Sequence, residues 1–89
     1  MAADAARCAA LWYGMVDAGA RYPGLLPDTT NARTLAEGFA AMAGPGAADR
    51  IAQDRPGMEL LVRGYLAGDA QSVRLFETLA TTCARISGD

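Results

Sequence analysis

The chain has 89 residues and a formal net charge of −2 at neutral pH. Its eight basic residues are all arginines spread along the sequence, whereas a nucleic-acid-binding face concentrates cationic side chains. No apolar stretch approaches the roughly 20 residues that a transmembrane helix needs. We therefore expect neither a nucleic-acid partner nor a membrane span.

The composition favours helices. Alanine and leucine are abundant, valine and isoleucine are sparse, and no run alternates apolar and polar residues as a strand does. The sequence predicts an all-α fold in one domain, residues 1–89, whose small core is only marginally stable. Twenty alanines beside a complete lack of lysine are typical of a GC-rich bacterial genome.

The first helix is predicted to start at Asp4, as its N-cap, and to end before Pro23, which disfavours helical geometry in the preceding residue. Tyr13 lies at the edge of its apolar face. That face is a single stripe at helical spacing, formed by Cys8, Leu11, Trp12, Met15, Val16 and Gly19.

The loop "YPGLLPDTTN" places Leu25 and Leu26 between two prolines. Two interpretations remain open. The leucines either cover the open end of the helical core, or they form with Tyr22 an exposed apolar patch that binds a partner. The prolines would hold such a patch rigid and so lower the entropy cost of binding.

A second helix is predicted to start at an N-cap within residues 28–31 and to end at the "GPG" of residues 44–46. Its inward stripe is expected to be Leu35, Phe39 and Met42. Residues 47–53 are predicted to form a short helix of about two turns.

A further helix is predicted to start near Arg55, capped by Asp54, because proline is tolerated in a first helical turn and Pro56 would lie there. Gly68 suits the end of this helix, and Asp69 suits the N-cap of the last one. The stripe of the last helix contains Val73, Phe76, Leu79, Ala80, Cys83 and Ile86. The expected architecture is an up-and-down bundle of four helices, with residues 47–53 as a possible fifth.

The two cysteines lie on the core stripes of the first and last helices. These helices are neighbours in a closed up-and-down bundle, and antiparallel packing brings Cys8 close to Cys83. A disulfide between them would stabilise the fold by about 4 kcal/mol in the loop-entropy model. The alternative is a pair of buried free thiols that act as small apolar residues.

Catalysis and metal binding have little support in the sequence. A catalytic thiol needs a base such as histidine, and a structural zinc site needs about four Cys or His ligands. The chain has no histidine, no lysine and two cysteines. Carboxylates near Pro56 are expected to be solvated surface, and three methionines are expected to fill the core. These groups are Asp49, Asp54 and Glu59, and Met15, Met42 and Met58.

We therefore expect a non-catalytic protein without a metal or cofactor that acts through contacts with a protein partner, as a chaperone-like or accessory factor. Stable disulfides belong to the periplasm or the exterior, and the small residues of "MAADAARC" are compatible with an exported protein. Two alternatives remain, a cytoplasmic subunit or regulator with reduced thiols and a carrier of a small apolar ligand. The sequence identifies neither the partner nor the oligomeric state.

Overall fold

The computed structural model describes residues 2–87, and these residues form helices joined by short connections with no strand among them. The helices are α1 (Ala2–Arg21), α2 (Thr30–Ala43), α3 (Ala48–Leu66) and α4 (Ala70–Ile86), with a single 3₁₀ turn at Pro45–Ala47. The all-α prediction is confirmed. None of these helices is long and apolar enough to cross a membrane.

The helices alternate in direction, as an up-and-down bundle requires. Asp17 of α1 contacts Arg55 of α3, and Tyr22, just after α1, contacts Arg63. The contacts follow the same order along both helices, so α1 and α3 run parallel. The bond from Cys8 to the far end of α4 makes α1 and α4 antiparallel. The predicted topology is confirmed.

Helix α1 lies at the centre of the bundle. Its most extensive contacts are with α3 and α2, and it contacts α4 less. The predicted single stripe on α1 is therefore too narrow, because alanines on its other sides are also buried. The buried positions of α1 include Ala5, Ala6, Cys8, Ala9, Ala10, Leu11, Val16 and Ala18. Small side chains let the other helices approach α1 on several sides.

The ends of α2 match the prediction, but its inward face does not. The Asp28 carboxylate accepts hydrogen bonds from the backbone N–H and the hydroxyl of Thr30, at 2.9 and 2.7 Å. Gly44, at φ +89°, ends the helix in a conformation that favours glycine. The inward face consists of Ala32, Ala36 and Phe39. The prediction was wrong for Leu35 and Met42, which are 42% and 52% exposed.

Helix α3 is continuous, which corrects two predictions. Residues 47–53 are not a separate helix, and no new helix starts at Arg55, because Pro56 is the ninth residue of α3. Asp54 accordingly forms an ion pair with Arg50, at 3.3 Å, instead of capping a helix. Proline has no N–H for the carbonyl of Ala52, but both residues are exposed, so water can hydrate that carbonyl.

The start of α1 also differs from the prediction. The helix is already formed at Ala2, so Asp4 lies in its first turn and is not the N-cap. A carboxylate in this position still interacts favourably with the positive end of the helix dipole.

The turn between α3 and α4 is as predicted. Gly68 has φ +82°, which suits glycine, and the Asp69 carboxylate accepts a hydrogen bond from the N–H of Ser72 at 2.9 Å. Below this turn the Phe76 ring stacks on Tyr65, with ring centroids 4.0 Å apart, and meets the edge of Trp12. These rings join α1, α3 and α4 in the core.

The predicted disulfide is present. Cys8 is bonded to Cys83 with 5.7 Å between their Cα atoms, within the usual range for a cystine. Both residues are buried among core side chains. The bond spans 75 positions of the sequence, so the loop-entropy model assigns it about 4.5 kcal/mol.

Candidate functional site

The loop predicted to bind a partner divides into an exposed and a packed part. Tyr22 and Leu25 are each 40% exposed, and the N–H of Leu25 donates to the carbonyl of Tyr22 at 3.0 Å. Leu26 is half-buried and lies over Gly19, near the end of α1. Leu26 thus covers the end of the core, whereas Tyr22 and Leu25 are both exposed within one turn of the loop.

Arg63 of α3 holds the Tyr22 side chain in place. Its Nη1 donates a hydrogen bond to the Tyr22 hydroxyl at 2.7 Å, and its guanidinium lies 5.2 Å from the centroid of the Tyr22 ring. The second contact is a cation–π geometry. The exposed ring is therefore held by two contacts with one side chain of α3.

A buried carboxylate lies beneath Tyr22 and Arg63. Glu59 is 7% exposed, and its Oε2 lies 3.3 Å from Nε of Arg21 and 3.7 Å from Nε of Arg63. The prediction that Glu59 is solvated surface was wrong. Because a buried charge needs a partner, the two arginines compensate the carboxylate that α3 presents to α1.

Arg21, Tyr22, Leu25 and Arg63 together are called the loop surface below. They come from the end of α1, the α1–α2 loop and the second half of α3. The surface thus combines an aromatic ring, a leucine and two guanidinium groups that share one carboxylate beneath them. Exposed aromatic and guanidinium side chains are of the kinds enriched where proteins bind other molecules.

A second feature lies further down the groove between α1 and α3. Arg55 donates two hydrogen bonds to the Asp17 carboxylate, at 3.0 and 2.6 Å, and its guanidinium lies 4.5 Å from the Tyr13 ring centroid. The hydrogen bonds to Asp17 raise the pKa of Arg55 above its already high ordinary value. Arg55 therefore carries a fixed positive charge.

The cysteines offer no thiol chemistry because both are in the disulfide. Within residues 2–87 no cluster of three or more His, Cys, Asp or Glu side chains has the arrangement of a metal site. Of the three methionines expected in the core, Met15 and Met58 pack against it and Met42 does not.

Glu59 and its arginines were missed by sequence reasoning, although one signal was present. Glu59 lies three residues before the buried Val62 and four before Arg63, so it shares the inner side of α3 and a helical neighbour of opposite charge. A carboxylate at an inward position predicts a buried ion pair when a partner helix supplies a cation. Nothing in the sequence indicates that Arg21 of α1 is that partner.

Comparison of the chain with protein-family models, with curated proteins and with solved structures finds no match.

Proposed function

We propose that this chain is a non-catalytic helical protein that binds a protein partner through the loop surface, in an oxidising compartment such as the periplasm. The observation that carries the proposal is the exposed Tyr22 ring, which Arg63 fixes by a hydrogen bond and a cation–π contact beside the exposed Leu25. The chain also lacks histidine and lysine, which limits general acid–base chemistry near neutral pH.

The side chains of the loop surface are of the kinds that dominate binding energy at interfaces. Tyrosine and arginine are enriched among the residues whose loss costs most affinity. A ring that is already ordered loses little conformational entropy on binding, so more of its contact energy contributes to affinity. Arg63 supplies that order for Tyr22.

The charges of the loop surface favour an acidic partner. The side chain of Arg21 is 63% exposed and that of Arg63 is 33% exposed, while the carboxylate they share is buried. A partner with an apolar side chain for Tyr22 and Leu25 and flanking Asp or Glu residues would complement this surface.

The disulfide supports the proposed compartment. Structural disulfides persist in the periplasm and outside the cell and are rare in the cytosol, where thiols are kept reduced. A cystine closing a loop of 75 residues in so small a core contributes a large share of the stability of the fold. A cytoplasmic protein with reduced cysteines would lack this contribution.

Site-specific photo-crosslinking tests the proposal. A photoreactive residue replaces Leu25 in the source cells, and a matched variant carries it at Leu75, an exposed leucine of α4 that is 53% exposed. We expect one discrete protein adduct from position 25, none from position 75, and loss of the adduct when Tyr22→Ala is added. Melting of the Tyr22→Ala protein controls for its fold.

The partner identified from that adduct is then purified and titrated. We expect Leu25→Ser to weaken its affinity at least tenfold and Leu75→Ser to leave it unchanged. No adduct from position 25, equal adducts from both positions, or equal losses of affinity would refute the proposal.

A further inference from the structure

A cleft separate from the loop surface lies where α2 turns into α3. Its walls come from the end of α2, from the turn at residues 44–46 and from the first two turns of α3, and α1 supplies the floor. Its volume is about 460 Å³, within the range of small-molecule sites. It is called the Arg55 cleft below.

The walls of the Arg55 cleft are apolar and short. Ala41 of α2 and Ala52 of α3 line it, together with the buried Ile51 of α3 and Tyr13 of α1. Alanine side chains end at Cβ, so the cleft between the helices stays open. Longer side chains at these positions would fill it. An apolar molecule that enters it covers the exposed Ala41 and Ala52 and the half-buried Tyr13 ring from water.

Among the described residues that line the cleft, Arg55 alone is charged. Its Nε and Nη2 are bound to Asp17, whereas its Nη1 has no hydrogen-bond partner within residues 2–87. The hydroxyl of Tyr13 likewise has none in this part of the chain. Two neighbouring side chains that line the apolar cleft thus keep hydrogen-bonding capacity for a ligand, and one of them is cationic.

We infer that the Arg55 cleft binds a small amphipathic carboxylate, with its apolar body between Ala41 and Ala52 and its carboxylate on Nη1 of Arg55. Arginine binds carboxylates through charge-assisted hydrogen bonds. Asp17 already supplies one negative charge to the same guanidinium, so a monoanion fits better than a dianionic phosphate. Tyr13, stacked against Arg55, can donate its hydroxyl to the same carboxylate.

Octanoate is the probe for this site, and 1-octanol, which has the same chain without the charge, is its control. Each is titrated into the oxidised protein at neutral pH while amide chemical shifts are recorded. We expect saturable shifts at residues of the cleft with octanoate, and at least tenfold weaker binding of octanol. Octanoate without saturable shifts at the cleft, or octanol with equal affinity, would overturn the inference.

Variants of exposed alanines separate the cleft from the rest of the surface. Ala41→Leu and Ala52→Leu place a longer side chain in the cleft from its exposed walls, so the core is not disturbed. Ala70→Leu adds the same side chain at an exposed position of α4, outside the cleft. We expect the first two to weaken octanoate binding at least tenfold and Ala70→Leu to leave it unchanged. Unchanged affinity in both cleft variants contradicts the inference.

Substitution of Arg55 tests the charged end. Arg55→Gln should reduce octanoate affinity to that of octanol, and Arg55→Lys should recover part of the difference, provided that both proteins melt cooperatively. If either variant fails to fold, the comparison of Ala41→Leu with Ala70→Leu still decides the question.

Discussion

Replacing Gly14 with alanine should destabilise the protein, because α1 and α3 meet backbone to backbone at this residue. A Cβ at Gly14 would lie 2.7 Å from the carbonyl carbon and the Cβ of Met58, and 2.8 Å from the N of Glu59. These atoms belong to the backbone and first carbon of α3, so no flexible side chain can move aside. The helices must separate to admit even one methyl group.

The size of the effect follows from two opposed contributions. An ordinary van der Waals contact begins near 3.4 Å, so α3 must move away from α1 by about 0.7 Å at this position. Such overpacking of a core typically costs about 1–3 kcal/mol. Alanine returns about 0.5–1 kcal/mol, because glycine in a helix interior loses more backbone entropy on folding. We expect a net loss of up to about 2.5 kcal/mol in the free energy of unfolding, centred near 1 kcal/mol.

Gly38 provides the matched control. It lies inside α2, is exposed, and a Cβ built on it meets no atom within 4 Å. Gly38→Ala should therefore show the propensity gain alone and stabilise the protein by about 0.5–1 kcal/mol. The same substitution is thus expected to have opposite signs in two helices.

Thermal and urea unfolding, monitored by circular dichroism with the disulfide intact, measure the difference. In a domain of this size 1 kcal/mol shifts Tm by about 4–8 °C, so the two variants should lie well apart on opposite sides of the parent protein. If Gly14→Ala and Gly38→Ala have equal free energies of unfolding, α1 and α3 do not approach each other closely at Gly14 and Met58, and the reasoning is refuted.

Three further predictions concern α3, the loop and α4. Pro56→Ala should raise the free energy of unfolding by about 1–3 kcal/mol, because it restores an N–H for the Ala52 carbonyl within α3. Unchanged or lower stability in urea unfolding would contradict a continuous helix. Leu26→Ser should lower Tm by more than Leu25→Ser, because Leu26 packs over Gly19 and Leu25 is more exposed; equal Tm values would contradict this division of the loop. Hydrogen bonds from Ser72 lower the pKa of Asp69 in the folded protein below its value near 3.8 in the unfolded chain. The cap therefore stabilises the fold fully above pH 3.8, and this contribution is lost as the pH falls through the lower pKa of the folded state. A carbon-13 titration should place the Asp69 midpoint below 3.8, and a midpoint at or above that value would refute the cap geometry.

The disulfide and three helix ends were predictable because each depends on local chemistry or on topology. Gly44 and Gly68 adopt positive φ at helix ends, and Asp69 caps α4, all of which follow from residue type and position. The pairing of Cys8 with Cys83 followed from the antiparallel order of the first and last helices.

Other features depended on packing between helices, which periodicity does not reveal. Proline was interpreted as a helix start, but the exposed side of α3 tolerates Pro56 because water can reach the carbonyl that it leaves unpaired. Met42 has the spacing of a core residue yet faces outward, because the small Ala32 and Ala36 bring a different face of α2 against α1.

The candidate site was predictable only in part. The loop from Tyr22 to Leu26 was identified by its apolar residues and prolines, but its division into exposed and packed positions depends on where Gly19 and Arg63 lie. The ion pair of Glu59 with Arg21 and the ion pair of Asp17 with Arg55 each join α1 to α3. Such long-range pairs require the relative rotation of two helices, which one sequence does not specify.

The stability of the fold and the proposed compartment both depend on the redox state of Cys8 and Cys83 in the source cells, so that state is the decisive measurement. Cells are quenched in acid and unfolded with a thiol-alkylating reagent before any reduction, so that air cannot oxidise the cysteines during purification. We predict that neither cysteine is alkylated and that proteolysis releases one peptide pair joined through Cys8 and Cys83. Two alkylated cysteines in the unreduced protein would contradict the account.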